Sequence, residues 1–319
     1  MDKYDEYEKY LDFDEEYNSF SHAGSRDGYK TPRKGKKKPT VTLSDLTDFV
    51  DDASVWVPTY AAPLDPKHHE RQWLIESLTP FYRDNVITDV TRRVKGGKEA
   101  NVYCCIAHPA AEVDFIAAKL YRPRILRTLK NDAIYKSGRQ LRGEDGKQLK
   151  GRREKLALQQ KSRFGQHLDM VWWIGNEFLV QKKLHEAGAK VPRPIGHNGN
   201  AILMDYVGDD QLPAPLLSDV SLTFDEATPL FELIMDNVRI MLDNHFVHGD
   251  LSAFNILYWE GDISIIDFPQ VVNARNNPNA FILLQRDIKR VCDYFGRFKV
   301  KANPNQIATD LWEPYMGSL

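Results

Sequence analysis

The segment HGDLSAFNILYWEGDISIIDF, from His248 to Phe268, restricts the possible folds of this chain more than any other stretch. Its runs ILYW and DISII are rich in aromatic and β-branched residues and flank a short turn, so they predict a β-hairpin. Asp250 and Asn255 lie in the loop before the hairpin, and Asp267 ends its second strand. We therefore expect the Asp267 carboxylate to leave the edge of the sheet and face a cleft.

These three polar residues have the chemistry of a metal site beside a proton acceptor. An Asn and an Asp offer oxygen ligands suited to Mg²⁺, which also keeps waters and phosphate oxygens. The five-residue offset lets Asp250 face a substrate hydroxyl while Asn255 turns towards the metal. Each Asp alone would also fit a turn or a cap, but the spacing of the three together favours a functional site.

The order of predicted elements indicates an α+β chain, in which a small sheet lobe precedes a reduced, mostly helical lobe. The predicted strands are TDVTRRV (Thr88 to Val94), VYCCIA (Val102 to Ala107), DFIAAKLYR (Asp114 to Arg122) and NAILMDYVG (Asn200 to Gly208). The predicted helices are Arg71 to Arg83, Leu168 to Gly188, about Thr228 to His245 with Thr228 as its cap, and one with Ile288, Val291, Cys292 and Phe295 on its apolar face. Ligands favour the cleft between two such lobes.

The stretch KGGKEAN, Lys95 to Asn101, interrupts the first two strands. Two glycines let the backbone approach a ligand closely and aim N–H groups at a phosphate. The stretch is not a Walker loop and lacks the full G-x-G-x-x-G pattern. An ordinary hairpin turn therefore remains an alternative at this point.

Lys119 and Glu177 form a predicted ion pair. Lys119 lies among apolar residues of the third strand, so it must reach solvent, pair with an anion or bind a ligand; an outward-facing lysine remains an alternative. Glu177 lies in an apolar helix stripe, and a buried carboxylate needs a cation. Paired with Glu177, Lys119 would be held ready for phosphate oxygens.

The composition outside these elements suggests few further functions. Residues 1–20 carry eight Asp or Glu, and residues 30–39 carry six Lys or Arg, so we expect a disordered tail over 1–66. The basic run 30–39 is either a solvated linker or a contact for RNA. The net charge of −2 argues against a uniformly basic nucleic-acid binder. The polar N-terminus, the lack of a long apolar run and three cysteines without a CxxC pair predict a cytoplasmic protein with no membrane contact.

The motifs together resemble protein-kinase-like phosphotransferases, whose catalytic loop reads H-R-D-L-x-x-x-N and whose metal loop reads D-F-G. Here the loops read HGDLSAFN and DFPQ, and only about 50 residues follow, too few for an ordinary activation loop and large helical lobe. GKEANVY, AAKLYR, HGDLSAFNILY and IIDFPQ resemble the RIO-type atypical serine/threonine protein kinases over about residues 85–298. The resemblance implies a two-lobed protein-kinase-like fold with an antiparallel N-lobe over 67–207, a mobile insertion at about 123–166 and a reduced C-lobe over 208–319.

The resemblance also implies a role for each residue of the motifs. Asp250 would accept the proton, and Asn255 and Asp267 would hold Mg²⁺, with Asp267 also able to take the phosphoryl group transiently. The residues expected to bind ATP are Lys95, Gly96, Gly97, Lys98, Glu99, Ala100, Val102, Lys119, Glu177, Met204, Asp205 and Val207. Within this set Met204 would border the adenine, and backbone groups of Asp205 and Val207 would pair with it.

Two further functions fit the same motifs. A small-molecule kinase of the aminoglycoside or choline kinase type also reads H-G-D-x-x-x-x-N before I-D-F, but it needs a larger helical lobe. A scaffold that uses ATP only as a switch is the other alternative. GKEANVY and the basic insertion resemble the RIO branch without an N-terminal winged helix, whereas DFPQ is more frequent in the winged-helix branch. Members of the family help to mature the small ribosomal subunit, which makes that particle an expected partner.

Overall fold

The computed structural model describes residues 56–60, 70–97, 99–122 and 163–317, with the side chains of 163–172 left out. Most of the expected disordered tail over 1–66, the basic run 30–39, Lys98 and nearly all of the expected insertion lie outside the described residues. The end of the expected tail is described, and there the Tyr60 N–H donates to the Val90 carbonyl at 2.9 Å. The elements below all belong to one unit of the chain, Pro58–Leu319.

A five-stranded antiparallel sheet forms the first half of this unit, in the order β1-β2-β3-β5-β4. Its elements, with the flanking helices, are α1 (Glu70–Arg83), β1 (Ile87–Gly96), β2 (Ala100–Ala107), β3 (Phe115–Tyr121), α2 (Arg163–Glu186), β4 (Pro194–Asn198) and β5 (Ala201–Asp205). Cys104 and Cys105 are neighbours on β2 and are both fully buried, although strand neighbours point to opposite faces. Both faces of the sheet are therefore covered at this position.

Helix α2 packs across one face of the sheet. Trp173 and Ile174 of the helix are buried against Ala117 and Tyr121 of β3 and Met204 of β5. Because residues one turn apart share a helix face, this packing also turns Glu177 towards β3. The predicted helix at Leu168 to Gly188 is confirmed, with a start that lies a little earlier, at Arg163.

Short strands and three helices form the second half. They are α3 (Phe224–Asp243), β6 (Phe246–Val247), β7 (Ile256–Trp259), β8 (Asp262–Ile265), β9 (Val272–Asn273), α4 (Ala280–Gly296) and α5 (Pro304–Gly317). One apolar core joins the three helices, and it includes the predicted face of α4 at Ile288, Val291, Cys292 and Phe295. All three cysteines are free and buried. No helix in the described part of the chain is both long and apolar enough to cross a membrane.

The predicted start of α3 at Thr228 is wrong. Thr223 caps the helix: its side chain accepts from the Glu226 N–H, and the Glu226 carboxylate accepts from the Thr223 N–H. This capping box satisfies two N–H groups that a helix otherwise leaves without partners, so the helix begins one turn earlier. Pro229 then lies inside the helix and costs it one backbone hydrogen bond.

The predicted hairpin is confirmed as β7 and β8, and it fixes the spacing of the polar residues around it. Ile256 pairs with Ile265 and Trp259 with Asp262, which leaves a two-residue turn at positions 260–261. Both turn residues have positive φ, 50° at Glu260 and 84° at Gly261, as the favoured hairpin turns require. One step beyond the ladder, the N–H of Ile266 donates to the carbonyl of Asn255 at 3.0 Å, so Asn255 and Asp267 are held close together.

Candidate functional site

Lys119 lies at the centre of the candidate site. Its Nζ is 2.7 Å from Glu177 Oε1 and 2.7 Å from Asp267 Oδ1, with side chains 12% exposed for Lys119 and 2% for Glu177. Burial acts to lower the pKa of Lys119, but the Asp267 and Glu177 carboxylates outweigh it and hold the pKa well above its ordinary value. The lysine is therefore fully charged, and the predicted contact with Glu177 is present.

Two aromatic residues fix the carboxylate partner of this lysine. The hydroxyl of Tyr121 donates to the second carboxylate oxygen of Glu177. The Tyr121 ring meets Trp173 edge to face, with centroids 4.9 Å apart. Trp173 in turn donates from Nε1 to the carbonyl of Pro269 at 3.2 Å, which ties α2 to the segment after Asp267.

Asp267 has an unusual backbone. Its φ is +74°, in the left-handed region that residues other than Gly, Asn and Asp rarely enter. Burial acts to raise the pKa of Asp267, but Lys119 outweighs it and keeps the pKa below its usual value. An ionised carboxylate on a strained, well-supported backbone is typical of a functional position.

The loop at Asp250 is held from within. The Asp250 N–H donates to His248 Nδ1 at 3.3 Å, and His248 Nε2 lies 3.2 Å from the Ile266 carbonyl. Together these contacts require the neutral ring with its proton on Nε2, and burial lowers the His248 pKa accordingly. Asn255 Nδ2 donates to the Asp250 carbonyl at 2.8 Å, which leaves Asn255 Oδ1 to face a ligand.

Helix α4 holds the same loop from outside. The Gly249 N–H donates to Asp287 Oδ2 at 2.7 Å, and Arg286 donates to the Gly249 carbonyl. Arg290 Nη1 lies 2.7 Å from Asp250 Oδ1. Burial raises the pKa of Asp287 to about 7, although the Gly249 N–H acts in the opposite direction.

The turn between β1 and β2 adjoins these charges. The Gly97 N–H donates to the Ala100 carbonyl at 2.9 Å, and a Cβ on Gly97 would lie 2.9 Å from that oxygen, so only glycine fits. Burial, and then the Asp267 carboxylate, raise the pKa of Glu99. Lys95 contributes to the low pKa of Asp267. Beside the turn, Gly96 pairs with Asn101 and Lys95 with Val102 in the β1–β2 ladder, whereas Ala100 pairs with Tyr121 of β3.

The predicted adenine segment follows β5, and some of its backbone groups are already engaged. Met204 is buried, and the Asp205 side chain pairs with Arg193 at 3.1 Å. The Asp205 N–H donates to the Arg193 carbonyl, and the Val207 carbonyl accepts from the Ala214 N–H, both at 2.9 Å. A base in this pocket would therefore use other backbone groups of the segment.

Sequence reasoning missed residues that the fold adds to this site. Arg92 of β1 donates to the Tyr206 hydroxyl at 2.9 Å and to the Asp210 carbonyl at 2.8 Å, so it ties the first strand to the segment after β5. Arg290 and Trp173 were missed as well. The contacts of Arg92 span 114 and 118 residues of sequence, that of Arg290 spans 40, and that of Trp173 spans 96. No local sequence pattern predicts contacts between residues so far apart.

The donor set fits a hard divalent cation. Within the described ranges no group of three or more His, Cys, Asp or Glu is arranged to hold a metal ion. The amide oxygen of Asn255 and the carboxylate of Asp267 are the ligand types that Mg²⁺ takes when phosphate oxygens and waters complete its shell. The residues therefore fit the cation that their motif predicts.

Comparison with known proteins shows that the chain is similar to kinases of one type. Serine/threonine-protein kinase RIO1 of Homo sapiens is 32% identical over 272 residues, 85% of this chain and 42% of the relative. Its namesake in Schizosaccharomyces pombe is 30% identical over 259 residues, 81% of this chain and 48% of the relative. The RIO-type kinase Rio2 of Methanocaldococcus jannaschii is 39% identical over 135 residues, which are 42% of this chain and 49% of the relative. The chain thus matches less than half the length of each of these relatives.

Solved structures confirm the predicted two-lobed α+β fold. The Rio2 kinase–ADP/Mg²⁺–phosphoaspartate complex from Chaetomium thermophilum matches with a TM-score of 0.51 and 22% identity, over 76% of this chain and 66% of that chain. The Rio2 kinase from the same organism matches with a TM-score of 0.51 and 24% identity, over 76% and 67%. The model of the RIO domain matches residues 101–307, more than half of the sequence, and the chain therefore belongs to the RIO domain family.

Proposed function

We propose that the protein is an ATP- and Mg²⁺-dependent serine/threonine protein kinase of RIO type with ATPase activity. The observation that carries the proposal is the position of Lys119 Nζ, 2.7 Å from both Glu177 and Asp267. A buried lysine held in this way presents a fixed positive charge to phosphate oxygens. The relatives' names, which describe serine/threonine kinases, support the same activity.

Each residue has a distinct task in this proposal. Lys119 binds the α- and β-phosphates, and Glu177 and Tyr121 hold it in place. The β1–β2 turn from Lys95 to Val102 covers the phosphates, and the segment Met204 to Val207 lines the adenine pocket. Asp250 accepts the proton of the attacking hydroxyl or water. Mg²⁺, held by Asn255 and Asp267, would neutralise charge on the phosphate oxygens.

We further propose that Asp267 is a transient nucleophile. Its carboxylate oxygen attacks the γ-phosphorus, the bond from that phosphorus to the bridging oxygen breaks, and ADP leaves with the electron pair. Water then attacks the aspartyl-phosphate, Asp250 takes the proton of the water, and inorganic phosphate leaves. The phosphoaspartate named for the Chaetomium thermophilum kinase supports this chemistry. Direct attack by serine or water, with Asp267 as metal ligand only, is the competing route.

Labelled ATP and the purified protein test the proposal. Self-phosphorylation, free phosphate and label on added aminoglycosides are measured side by side, with Lys119→Ala, which should bind ATP poorly, as the control. We expect label on protein or free phosphate and none on aminoglycosides. Label on aminoglycosides would indicate a small-molecule kinase, and ATP binding without any turnover would indicate an ATP-switched scaffold.

The same sample separates the two routes at Asp267. An acyl phosphate is lost in hydroxylamine, whereas phosphoserine survives it. Trapped enzyme should lose its label in hydroxylamine. If all of the label survives, Asp267 is a metal ligand only.

The basic run 30–39 has the charge to bind a polyanion. We propose that the basic run 30–39 contacts RNA of the small ribosomal subunit or its precursor. Electrostatic contact with phosphates weakens steeply as salt rises. Deletion of 30–39 should therefore remove a salt-dependent part of binding to small-subunit RNA and leave ATP turnover unchanged.

A further inference from the structure

We propose that Arg290 is a positioning residue that orients Asp250 for proton acceptance. The inference rests on the proposed kinase function. Arg290 lies outside the four motifs that resemble the family. Its basis is the ion pair between Arg290 Nη1 and Asp250 Oδ1 at 2.7 Å, which joins α4 to the loop 40 residues earlier in the chain.

The loop itself has no place for this cation. An ordinary protein-kinase loop carries an Arg directly before the Asp, but here that position is Gly249 with φ +80°. Most side chains are strained at such a backbone angle, so glycine is favoured there over arginine. Charge reaches the loop from α4 instead, through Arg286 to the Gly249 carbonyl and through Arg290 to the Asp250 carboxylate.

The pair distinguishes the two oxygens of Asp250. Oδ1 is bound by Arg290 at 2.7 Å, whereas Oδ2 lies 3.4 Å from Asn255 Nδ2, at the long end of hydrogen bonding. With the first oxygen fixed, the carboxylate rotamer is set and the second oxygen is the one available to an acceptor hydroxyl. A general base contributes only when it lies within hydrogen-bond reach of its proton in a defined orientation.

Comparison with other pairs of the C-terminal helices favours a role in the site. Arg239–Asp236 and Lys289–Asp293 also lie within 2.7 Å and 2.5 Å, but each stays within one turn of its own helix, with side chains about 60% exposed. Arg290 and Asp250 are 40% and 36% exposed and belong to different elements. Exposed pairs within one helix contribute little to stability. The Arg290–Asp250 pair instead joins α4 to the loop that carries the proposed proton acceptor.

The test separates an effect through Asp250 from a general one. The steady-state kcat and the KM for ATP are measured as phosphate release for wild type, Arg290→Ala, Arg290→Lys, Asp250→Ala and the double variant Arg290→Ala/Asp250→Ala. Arg239→Ala is the matched control, because it breaks an equally short Arg–Asp pair that stays within α3. Thermal unfolding midpoints check that each variant is folded, and Arg290→Lys replaces Arg290→Ala if the latter is not.

We expect Arg290→Ala to lower kcat about tenfold, a part of the roughly 10²–10⁴-fold that a general base supplies, with KM for ATP within about twofold. Arg290→Lys should restore part of the loss, and Arg239→Ala should match wild type. In the Asp250→Ala background, removal of Arg290 should cost nothing further. A wild-type kcat in Arg290→Ala, or an equal loss in both backgrounds, would overturn the inference. If wild type itself releases no phosphate and labels no protein, the proposed function fails first.

Discussion

Lys119 shows how much a single buried charge depends on its neighbours. Its ammonium is held by two carboxylates, one of which is further held by the hydroxyl of Tyr121. Removing one member of a buried ionic group leaves an uncompensated charge, which costs more than the pair itself contributes. Lys119, Glu177 and Asp267 therefore act as a unit. Substitutions of Lys119 and of Glu177 should lower ATP binding to different extents.

Lys119→Ala should weaken ATP binding or its positioning strongly, because the phosphates lose their fixed positive charge. Glu177→Ala should have a similar but milder effect, since Asp267 still pairs with the lysine. Lys182→Ala, which breaks an exposed pair with Glu186 on α2, serves as the control. Nucleotide affinity and kcat are the measurements; turnover unchanged in Glu177→Ala would mean that the pair has no part in ATP binding.

Asp287 should make the stability of the fold depend on pH. Its pKa is about 7 in the folded state and about 4 in an unfolded chain, so the folded state binds an extra proton between these values. The contribution of this proton to the free energy of unfolding is complete below about pH 4 and is lost as the pH rises through about 7. Over that window the wild type should lose up to about 1.4 kcal/mol per pH unit relative to Asp287→Asn.

Urea unfolding of wild type and Asp287→Asn across this pH range measures the difference. Asp236→Asn, on the exposed surface of α3, is the control and should follow the wild-type curve. Parallel curves for wild type and Asp287→Asn would show that Asp287 has the same pKa in both states.

At the scale of elements, local patterns predicted most strands and helices but not all. Alternation identified β1, apolar runs identified β2, β3 and β5, and two strand-like runs around a short turn identified the β7–β8 hairpin. Strand β4 was missed because prolines and a glycine hide its short pattern, and α5, which contains Pro314, was missed as well. Within the site, the contact of Lys119 with Glu177 followed from burial, because each charge needed a partner. Arg290 could not be predicted, since its contact depends on how α4 is placed on the loop.

A hydrogen bond from Trp173 to the Pro269 carbonyl couples helix α2 to the segment after Asp267. Trp173→Phe removes that bond and keeps an aromatic ring in the core. We expect a destabilisation of about 0.5–1.5 kcal/mol and a higher Mg²⁺ requirement, because Asp267 is less firmly held. Unfolding in urea and the Mg²⁺ concentration at half-maximal phosphate release measure the two effects. Trp312→Phe on α5, far from this segment in sequence, should show no change in Mg²⁺ requirement.

At the scale of the whole molecule, the candidate site draws on both halves of the unit. Lys119 and Glu177 come from the sheet and α2, whereas Asp250, Asn255 and Asp267 come from the loops around the β7–β8 hairpin. A ligand that binds residues of both halves favours only the folded arrangement. Nucleotide should therefore stabilise the entire described unit and not one half alone.

ADP with Mg²⁺ at about 100 times its Kd should add about 2.7 kcal/mol to the free energy of unfolding, a rise in Tm of about 5–10 °C. Differential scanning calorimetry measures this, with ADP and EDTA as the control. Asp267→Asn should lose the Mg²⁺-dependent part of the rise. An equal rise with and without Mg²⁺ in wild type would contradict a metal-assisted site.

The left-handed backbone of Asp267 also limits which substitutions are tolerated at this position during evolution. At φ +74° Gly, Asn and Asp are accommodated more readily than other residues, and the codons of Gly and Asn each lie a single base change from those of Asp. Two single-base substitutions, Asp267→Asn and Asp267→Gly, therefore remove the carboxylate and preserve the fold in a homologue that no longer needs catalysis. Homologues that have lost activity at this position should carry Asn or Gly far more often than Ala, Val or Glu, which are also single base changes away.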